Sequence, residues 1–363
     1  ASEQARKPAY PSPIKGEGSG AINLPALSVP PRDGAKGVYA LVREGRYKRG
    51  MNRLSRLALA LLAPLPATFV VAQDTSAPYL VVETGRGYTS LQAAIDAIGD
   101  GRGTIRFASL RFADCAVQSG GEITYQAAVP GQSILDGVPC EGKAALVLRG
   151  RAAWVEGMVF ANIRVPDKNG AGIRLERGNL TVTQSWFRDS EQGILAGENP
   201  SGVISIDKST FTRLGTCEGS GCAHSIYIGE VGALTVTRSR FEAGTGGHYV
   251  KSRAPRVSVL DCSFDDTRGR ASNYMIDLPD GASGRIAGNW MVQGRDKENY
   301  SAFIAVAAEH RNNPSGGLVV EGNDARFAPG VDRRSAFVAD WSGDGVRLGA
   351  NALAAGLVKY EAR

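Results

Sequence analysis

Short runs of alternating apolar and polar residues fill the second half of the chain, and one phrase recurs among them. It reads apolar, any, apolar, a few polar residues, a small residue, any residue, aromatic. The clear copies are LTVTQSWF at 180–187, ISIDKSTF at 204–211, LTVTRSRF at 234–241 and VSVLDCSF at 257–264. WVEGMVF at 154–160 reads as the first copy, and RIAGNWM at 285–291 and LVVEGNDA at 318–325 are weaker ones. Alternation with a period of two predicts short β-strands.

The spacing of these copies predicts a solenoid. The apolar anchors are separated by 27, 24, 30, 23, 27 and 34 residues, and they are Val155, Val182, Ile206, Val236, Val259, Ile286 and Val320. A unit of this size buries too few apolar residues to be stable alone, so neighbouring units must stack. We therefore predict an all-β, right-handed parallel β-helix over residues 73–363, with Val on Val and Phe on Phe about 4.8 Å apart. A β-sandwich is the alternative, but a single repeated phrase favours the solenoid.

A second column of small, mostly polar residues lies two positions before each aromatic. Its members are Ser185, Ser209, Ser239, Cys262, Asn289 and Asn323. Such residues at a repeated bend predict an inward ladder, in which each side chain bonds to the next coil or to the backbone. Cys262 then fills a serine position as a buried thiol and is not expected to act as a nucleophile.

The segment YTSLQAAIDAI at 88–98 predicts a short amphipathic helix before the β-rich region, with Leu91, Ala94, Ile95 and Ile98 on one face. Helix and coils together resemble the pectate-lyase-like and pectin-esterase-like β-helix superfamily over about residues 77–350. The resemblance implies a helix that caps the first coil and a site on the outer strand faces. The NTD/DD/GHG/RIK set of polygalacturonases, the esterase motifs and the DPHD motif of alginate epimerases are not found in the sequence, so those activities are not implied.

The N-terminal 72 residues differ in composition from the rest. Residues 1–50 are rich in Pro, Gly, Lys and Arg, and are expected to be unstructured or to reflect an over-extended start. Residues 51–72 combine the basic MNRLSR, an apolar stretch and the small-residue end Val70-Val71-Ala72, which together predict a cleaved signal peptide. We therefore expect a secreted or periplasmic protein whose mature chain begins near Gln73.

Charge and cysteine usage narrow the function classes. Residues 1–72 hold 11 Lys/Arg and 4 Asp/Glu of the chain's 42 and 36, so the remainder holds 31 and 32, a net charge of −1. A basic leader gives no support to nucleic-acid binding by the body. The spacings of Cys115 with Cys140 and of Cys217 with Cys222 suit disulfides, which an oxidising compartment permits. No metal site or other cofactor is expected: zinc-like spacing is missing, and a calcium requirement is possible but no motif indicates one.

Polar residues are concentrated in three successive strands. They read AHSIYIGE at 223–230, GHYVKSR at 247–253 and SNYMIDLP at 272–279. Apolar alternation points Ile226, Val250 and Ile276 inward. Tyr227, Lys251 and Asp277 then form an outward column on the surface, with Arg253 beyond Lys251. His224 and His248 lie one coil apart and are expected to stack.

This arrangement suggests an exported polysaccharide lyase acting on an acidic, uronic-acid polymer. β-Elimination needs a cation for the carboxylate, a base for the C5 proton and an acid for the leaving oxygen. Arg253 suits the first role, Lys251 or His248 the second and Tyr227 the third, with His224 as a further catalytic candidate. Related β-helix lyases use Lys or Arg on an outer strand face as base, which is what the resemblance implies. Burial and Arg253 should lower the pKa of Lys251, whereas Asp277 should raise it.

Two other functions remain open. A non-catalytic glycan-binding or envelope protein could use Tyr227, Tyr249, Tyr274 and Tyr300 to stack on sugars, with Asp277 as a further substrate contact. A glycoside hydrolase could use two carboxylates, Asp277 and Glu309. In each case the expected partner is a polysaccharide and the protein is expected to be a monomer without a membrane span.

Overall fold

A computed structural model of the chain describes residues 77–363. The predicted unstructured segment 1–50, the predicted signal peptide 51–72 and the first four residues of the predicted domain lie outside these residues. Residues 77–363 hold 32 strands and one helix. No helix among residues 77–363 is long and apolar enough to cross a membrane.

The strands form three sheets. The first sheet contains β1 (Tyr79–Val81), β2 (Arg86–Tyr88), β3 (Arg102–Phe107), β6 (Glu122–Ala127), β9 (Ala152–Glu156), β12 (Asn179–Thr183), β15 (Asn199–Asp207), β18 (Val231–Thr237), β21 (Arg256–Leu260), β24 (Ser283–Ala287), β27 (Leu318–Glu321) and β30 (Arg347–Leu348). The second contains β4 (Arg111–Phe112), β7 (Ser133–Asp136), β10 (Met158–Ala161), β13 (Trp186–Arg188), β16 (Thr210–Thr212), β19 (Arg240–Glu242), β22 (Ser263–Asp265), β25 (Trp290–Gln293), β28 (Asp324–Phe327) and β31 (Ala352–Leu353). The third contains β5 (Ala116–Gln118), β8 (Ala144–Leu148), β11 (Ala171–Leu175), β14 (Gln192–Ala196), β17 (Ile226–Ile228), β20 (Val250–Ser252), β23 (Ile276–Leu278), β26 (Ala302–Val306), β29 (Ser335–Asp340) and β32 (Leu357–Ala362).

Each coil contributes one strand to each sheet, and successive coils pair in parallel. The predicted all-β parallel β-helix is therefore confirmed, and the alternative sandwich is excluded. Coils begin earlier than the phrase at 154–160 indicated, because β3 and β6 already pair in parallel. These early strands bury Ile105, Phe107, Ile123 and Tyr125 without the small-residue and aromatic ending of the repeated phrase.

Helix α1 (Leu91–Ile98) covers the N-terminal end of the core. Ser90 caps it, since its side chain accepts a hydrogen bond from the Ala93 N–H at 3.3 Å. Leu91, Ala94 and Ile95 are buried against the first coils. The predicted capping helix is confirmed and begins three residues after the start of the predicted segment.

Stacked side chains fill the core. Neighbouring rings of Phe160, Phe187, Phe211, Phe241 and Phe264 lie nearly parallel with centroids 4.8 to 4.9 Å apart. This spacing is the distance between strands, so each ring packs on the next coil's ring without gaps. The Phe column holds the coils in a single register.

The small-residue ladder is also present. The backbone N–H of each member donates to the side chain of the next, as from Ser209 to Ser239 at 3.1 Å and from Cys262 to Asn289 at 2.9 Å. These bonds satisfy buried backbone groups at the bend between the first and second sheets. The ladder continues past the predicted members to Asn351.

Both predicted disulfides form, Cys115–Cys140 and Cys217–Cys222, and Cys262 is a free, buried cysteine. The first bridge joins two neighbouring coils near α1. The second closes a turn in the long connection between β16 and β17. Cys262 has no second cysteine to pair with in this part of the chain.

Candidate active site

Three neighbouring strands of the third sheet carry the candidate side chains in the predicted register. Ile226 pairs with Val250 and Val250 with Ile276, and all three are fully buried. On the opposite face of the strands, Tyr227 lies next to Lys251 and Lys251 next to Asp277. We call Tyr227, Lys251 and Asp277 the outer column.

The outer column is less exposed than predicted. The Lys251 and Asp277 side chains are 10% and 4% exposed, because a segment from another coil covers them. Lys251 Nζ lies 2.6 Å from Glu309 Oε1 and 3.4 Å from Asp277 Oδ2. The prediction of an exposed surface column is therefore wrong for these two residues. They form a buried charge cluster.

Arg253 is held by three partners in different directions. Its Nε donates to the Tyr227 hydroxyl at 3.0 Å, Nη1 donates to Asp280 Oδ1 at 2.6 Å, and Nη2 contacts Glu309 Oε2. The planar guanidinium is suited to such a fork of bonds, and each bond fixes its orientation further. Because the Tyr227 oxygen accepts from Arg253, its own hydrogen is free for another partner.

The sequence predicted Glu309 near the walls of the site and as a carboxylate of the hydrolase alternative, but it did not predict its contact with Lys251, and Asp280 was missed. Asp280 follows Asp277 by three residues, where the chain leaves β23, and its side chain is 3% exposed. Glu309 lies in the connection between β26 and β27, 58 residues from Lys251. The signal that was available is a cluster of charged residues, Glu309, His310 and Arg311, directly after a strand of the same sheet.

The predicted histidine stack is confirmed. The ring centroids of His224 and His248 lie 4.9 Å apart, and Tyr274 stacks on His248 at 5.5 Å. The His248 backbone N–H donates to His224 Nδ1 at 3.0 Å, so that nitrogen carries no hydrogen. His248 Nδ1 lies 3.2 Å from the same atom. His248 Nε2 lies 3.6 Å from Asp277 Oδ2.

Burial controls the charge states of the histidines and Asp277. Burial and the Lys251 cation lower the pKa of His224 to about 3. Burial, with His224 and Lys251 nearby, also lowers the pKa of His248 well below its ordinary value. Burial raises the pKa of Asp277 to about 6, although Lys251 acts in the opposite direction. Both imidazoles are therefore neutral near pH 7.

Lys251 and Glu309 shift in the directions that keep both charged. Burial alone would lower the pKa of Lys251, but the carboxylates of Asp277 and Glu309 outweigh it and raise that pKa. Burial would raise the pKa of Glu309, but hydrogen bonds from Lys251 and Arg253 outweigh it and lower that pKa. Lys251 is thus protonated in this arrangement, which opposes a role as general base.

The remaining tyrosines lie in three different environments. Tyr249 is 1% exposed and packs against Phe241 and Phe264 in the core, so it is not placed to stack on a sugar. Tyr274 is mostly buried on His248. Tyr300 is 50% exposed and lies under the Arg333 guanidinium, 4.7 Å from its ring centroid.

A second buried cluster supports the connections that precede β20 and β23. Asp266 accepts hydrogen bonds from the Tyr249 hydroxyl at 2.6 Å and from Ser272 at 2.8 Å. Lys297 Nζ lies 3.2 Å from the other Asp266 oxygen, and its side chain is 1% exposed. Together, Tyr249, Asp266 and Lys297 join three successive coils behind His248.

A polar cleft of about 640 Å³ opens beside the charge cluster. Its floor is the outer face of the third sheet, and connections on both sides of that sheet form its walls. The lining residues are Asp167, Asn169, Arg174, Leu195, Ala196, Gly197, Glu198, Tyr227, Gly229, Glu230, Arg253, Asp280, His310 and Asn312. Tyr227 and Arg253 are therefore the members of the predicted site that reach the cleft.

One group of side chains resembles a cation site in composition. Potential ligand atoms of Asp280, Glu309 and His310 lie within 4.8 Å of one another. Arg253 contacts both carboxylates, so a cation would share its ligands with a guanidinium of like charge. Calcium also prefers six to eight oxygen ligands. These residues do not fit a calcium site, and independence from cofactors stays a prediction.

Comparisons with known proteins leave the family open. No family model matches the chain, and no curated protein matches it. Among solved structures, ORF18 of Geobacillus virus E2 is similar, with a TM-score of 0.48 and 13% identity, over 74% of this chain and 55% of that one. The chain thus spans about half the length of the phage protein.

Proposed function

We propose that the protein is a polysaccharide lyase that cleaves a uronic-acid polymer by β-elimination. The observation that carries the proposal is that Lys251 and Arg253 both bind one carboxylate, that of Glu309. The Tyr227 hydroxyl lies beside them, at the wall of an open cleft. A uronic acid carries such a carboxylate next to the carbon that loses a proton. The resemblance to pectate-lyase-like β-helix proteins supports the same class.

The reaction assigns a task to each group. A base takes the C5 proton, the electron pair forms the C4–C5 double bond, the C4–O bond breaks, and the leaving oxygen takes a proton. Lys251 and Arg253 bind the carboxylate and stabilise the negative charge that develops on it. Tyr227 donates the proton to the leaving oxygen, since its hydrogen is not used by Arg253.

We assign the base to His248 in preference to Lys251. Lys251 is paired with two carboxylates that keep its proton in place. The neutral His248 keeps one ring nitrogen without a hydrogen, and its Nε2 lies 3.6 Å from Asp277 Oδ2. His224 accepts the backbone N–H of His248 and so acts as the residue that positions this ring.

The proposed enzyme is secreted or periplasmic. Two disulfides and the finding of no membrane-spanning helix in residues 77–363 are compatible with an extracellular protein. Acidic polysaccharides of cell walls and capsules are found in the same compartments.

A panel of uronic-acid polymers tests the proposal. The domain from residue 73 is incubated with polygalacturonate, alginate, hyaluronan and heparosan, and unsaturated ends are followed by ultraviolet absorbance. We expect absorbance with at least one polymer and its loss in Arg253→Ala. New reducing ends without absorbance would show a hydrolase instead. Binding without either product would show a glycan-binding protein.

One observation favours the hydrolase as the second candidate. Asp277 and Glu309 have pKa values shifted in opposite directions, Asp277 up to about 6 and Glu309 down. Two carboxyl groups with separated pKa values are the general acid and the base or nucleophile of glycosidases. Against it, Asp277 is almost fully buried and Glu309 is held between two cations.

A further inference from the structure

We infer that Glu309 is a built-in substitute for the ligand carboxylate, and that its side chain must swing out of the Lys251–Arg253 site before a uronate can bind. The inference rests on the proposed ligand class and adds a gate to the same site. It concerns binding, so it can be tested whether or not the protein cleaves the ligand.

The geometry of Glu309 is that of a bound carboxylate. One oxygen faces Lys251 Nζ at 2.6 Å, and the other faces Arg253 Nη2. Two separate cations each hold one oxygen of the same carboxylate, as expected for a site that recognises a carboxylate on a ligand. The Glu309 side chain is 39% exposed, so it has solvent to move into.

Both cations keep a partner when Glu309 leaves. Lys251 retains Asp277 at 3.4 Å, and Arg253 retains Asp280 at 2.6 Å and the Tyr227 hydroxyl at 3.0 Å. Two cations then face two carboxylates, and Glu309 is the third negative charge. A ligand carboxylate would replace that charge one for one, so the exchange leaves the charge balance of the cluster unchanged.

The backbone around Glu309 limits the motion to the side chain. Glu309 belongs to the 11-residue connection 307–317, the longest between the third and first sheets in the described coils. The N–H groups of Glu309 and His310 both donate to Pro279 O, at 3.0 and 2.9 Å. Asn313 N–H donates to Asp280 O at 2.9 Å. The connection is thus anchored at the site, and rotation of one exposed side chain is enough to open it.

The larger the fraction of time for which Glu309 fills the site, the weaker the apparent affinity for a ligand carboxylate should be. When a competing state fills a site nine-tenths of the time, the apparent affinity falls about tenfold. Glu309→Gln keeps the shape but replaces one anionic oxygen with an NH₂ group, which the two cations repel. We therefore expect Glu309→Gln to bind uronate oligosaccharides about tenfold more tightly than the unmodified chain.

Glu230→Gln is the matched control. Glu230 is exposed, lines the same cleft, and contacts no cation among the described residues. The Glu230→Gln substitution removes one negative charge from the cleft, as Glu309→Gln does, but leaves the contacts of Lys251 and Arg253 unchanged. A gain in affinity confined to Glu309→Gln therefore reports release of the site and not a general drop in repulsion.

The experiment is calorimetric titration of the chain from residue 73 with short oligomers of galacturonate, mannuronate and glucuronate, and with maltotriose as a neutral probe. We expect tighter uronate binding in Glu309→Gln, a much smaller change in Glu230→Gln, and no gain for maltotriose. Equal or weaker uronate binding in Glu309→Gln would overturn the inference. So would an equal gain in Glu230→Gln, or no uronate binding by any of the three proteins.

The lyase assignment is measured separately by unsaturated-product absorbance with the same proteins. Tighter binding in Glu309→Gln without absorbance would reject the lyase and keep the carboxylate gate. Absorbance together with unchanged binding in Glu309→Gln would support the lyase and reject the carboxylate gate. Urea unfolding of each variant checks that the fold is intact.

Discussion

Lys251 Nζ lies 3.4 Å from Asp277 Oδ2 on the next coil, and neither side chain is more than 10% exposed. The pair stands on the outer face of the third sheet, yet it is buried, because Glu309 lies over it. One Asp277 oxygen has no hydrogen-bond partner within the described residues. The pair thus contributes to the proposed chemistry and to stability, and the two roles can be separated.

The first prediction concerns this burial. Lys251→Met should reduce the free energy of unfolding by about 3 kcal/mol at pH 8, because it leaves a buried carboxylate without its partner. Adding Asp277→Asn should restore most of that loss, since no unpaired charge remains. Urea unfolding measures both. Lys208→Met, at an exposed turn of an earlier coil, should stay within about 0.5 kcal/mol of the parent. An unchanged free energy of unfolding in Lys251→Met would contradict a buried ion pair between Lys251 and Asp277.

Arg253→Lys should remove most activity although the charge is kept. The guanidinium contacts Tyr227, Asp280 and Glu309 in three directions, and an ammonium cannot reproduce that fork. We expect a loss of ~10²–10³-fold in the rate on whichever polymer the panel identifies. Lys208→Ala is the control and should be fully active. If Arg253→Lys retains full activity, carboxylate binding lies elsewhere.

Tyr227→Phe separates the hydroxyl from the ring. The ring remains beneath Lys251 and Arg253, at 5.7 and 6.0 Å from its centroid, while the proton donor is lost. The rate should fall by ~10²–10⁴-fold, as expected for a proton-transfer group, and the unfolding free energy should change by only about 1 kcal/mol. A larger loss of stability than of activity would assign Tyr227 a structural role.

The neutral histidines predict acid sensitivity. The folded pKa values of His224 and His248 lie below the unfolded value of 6.5, so the unfolded chain binds more protons as the pH falls below about 6.5. Asp277 acts in the opposite direction, since its folded pKa of about 6 lies above its unfolded value. The net effect should be a loss of about 2 kcal/mol of unfolding free energy between pH 6.5 and 5.

Asp277→Asn removes the carboxyl group whose protonation in the folded chain partly offsets the effect of the histidines on stability in that pH range. The acid-induced loss should then grow to about 3 kcal/mol over the same interval. Urea unfolding at several pH values gives both slopes. A parent protein that becomes more stable over this range would show that the histidines are not both neutral in the folded chain.

Cys262 should be inert in the folded protein. Burial raises the pKa of its thiol to about 12, and its S–H donates to the Leu260 carbonyl oxygen at 3.3 Å. Alkylation with iodoacetamide at about pH 8 should be slow in the native state and fast in urea, with mass spectrometry reporting one modified site. Rapid alkylation of native protein would contradict the ladder position.

The sequence by itself determined the coil. Its anchor spacing, the aromatic column and the small-residue ladder all specify stacking of like on like, and each was found where predicted. Alternation also set the register of Ile226, Val250 and Ile276, because a slip by one residue would turn every apolar side chain of these strands away from the core.

Tertiary structure decided what surrounds the outer column. Tyr249 is an example: alternation along β20 would point it outward, but it precedes the strand, and the turn directs its ring between Phe241 and Phe264. Glu309 is another, since it reaches Lys251 from a connection 58 residues away. Strand periodicity specifies which face a residue occupies, whereas the path of a long connection depends on contacts between distant coils. For that reason the candidate residues were visible in the sequence, while their burial, their charge states and the carboxylate placed between Lys251 and Arg253 were not.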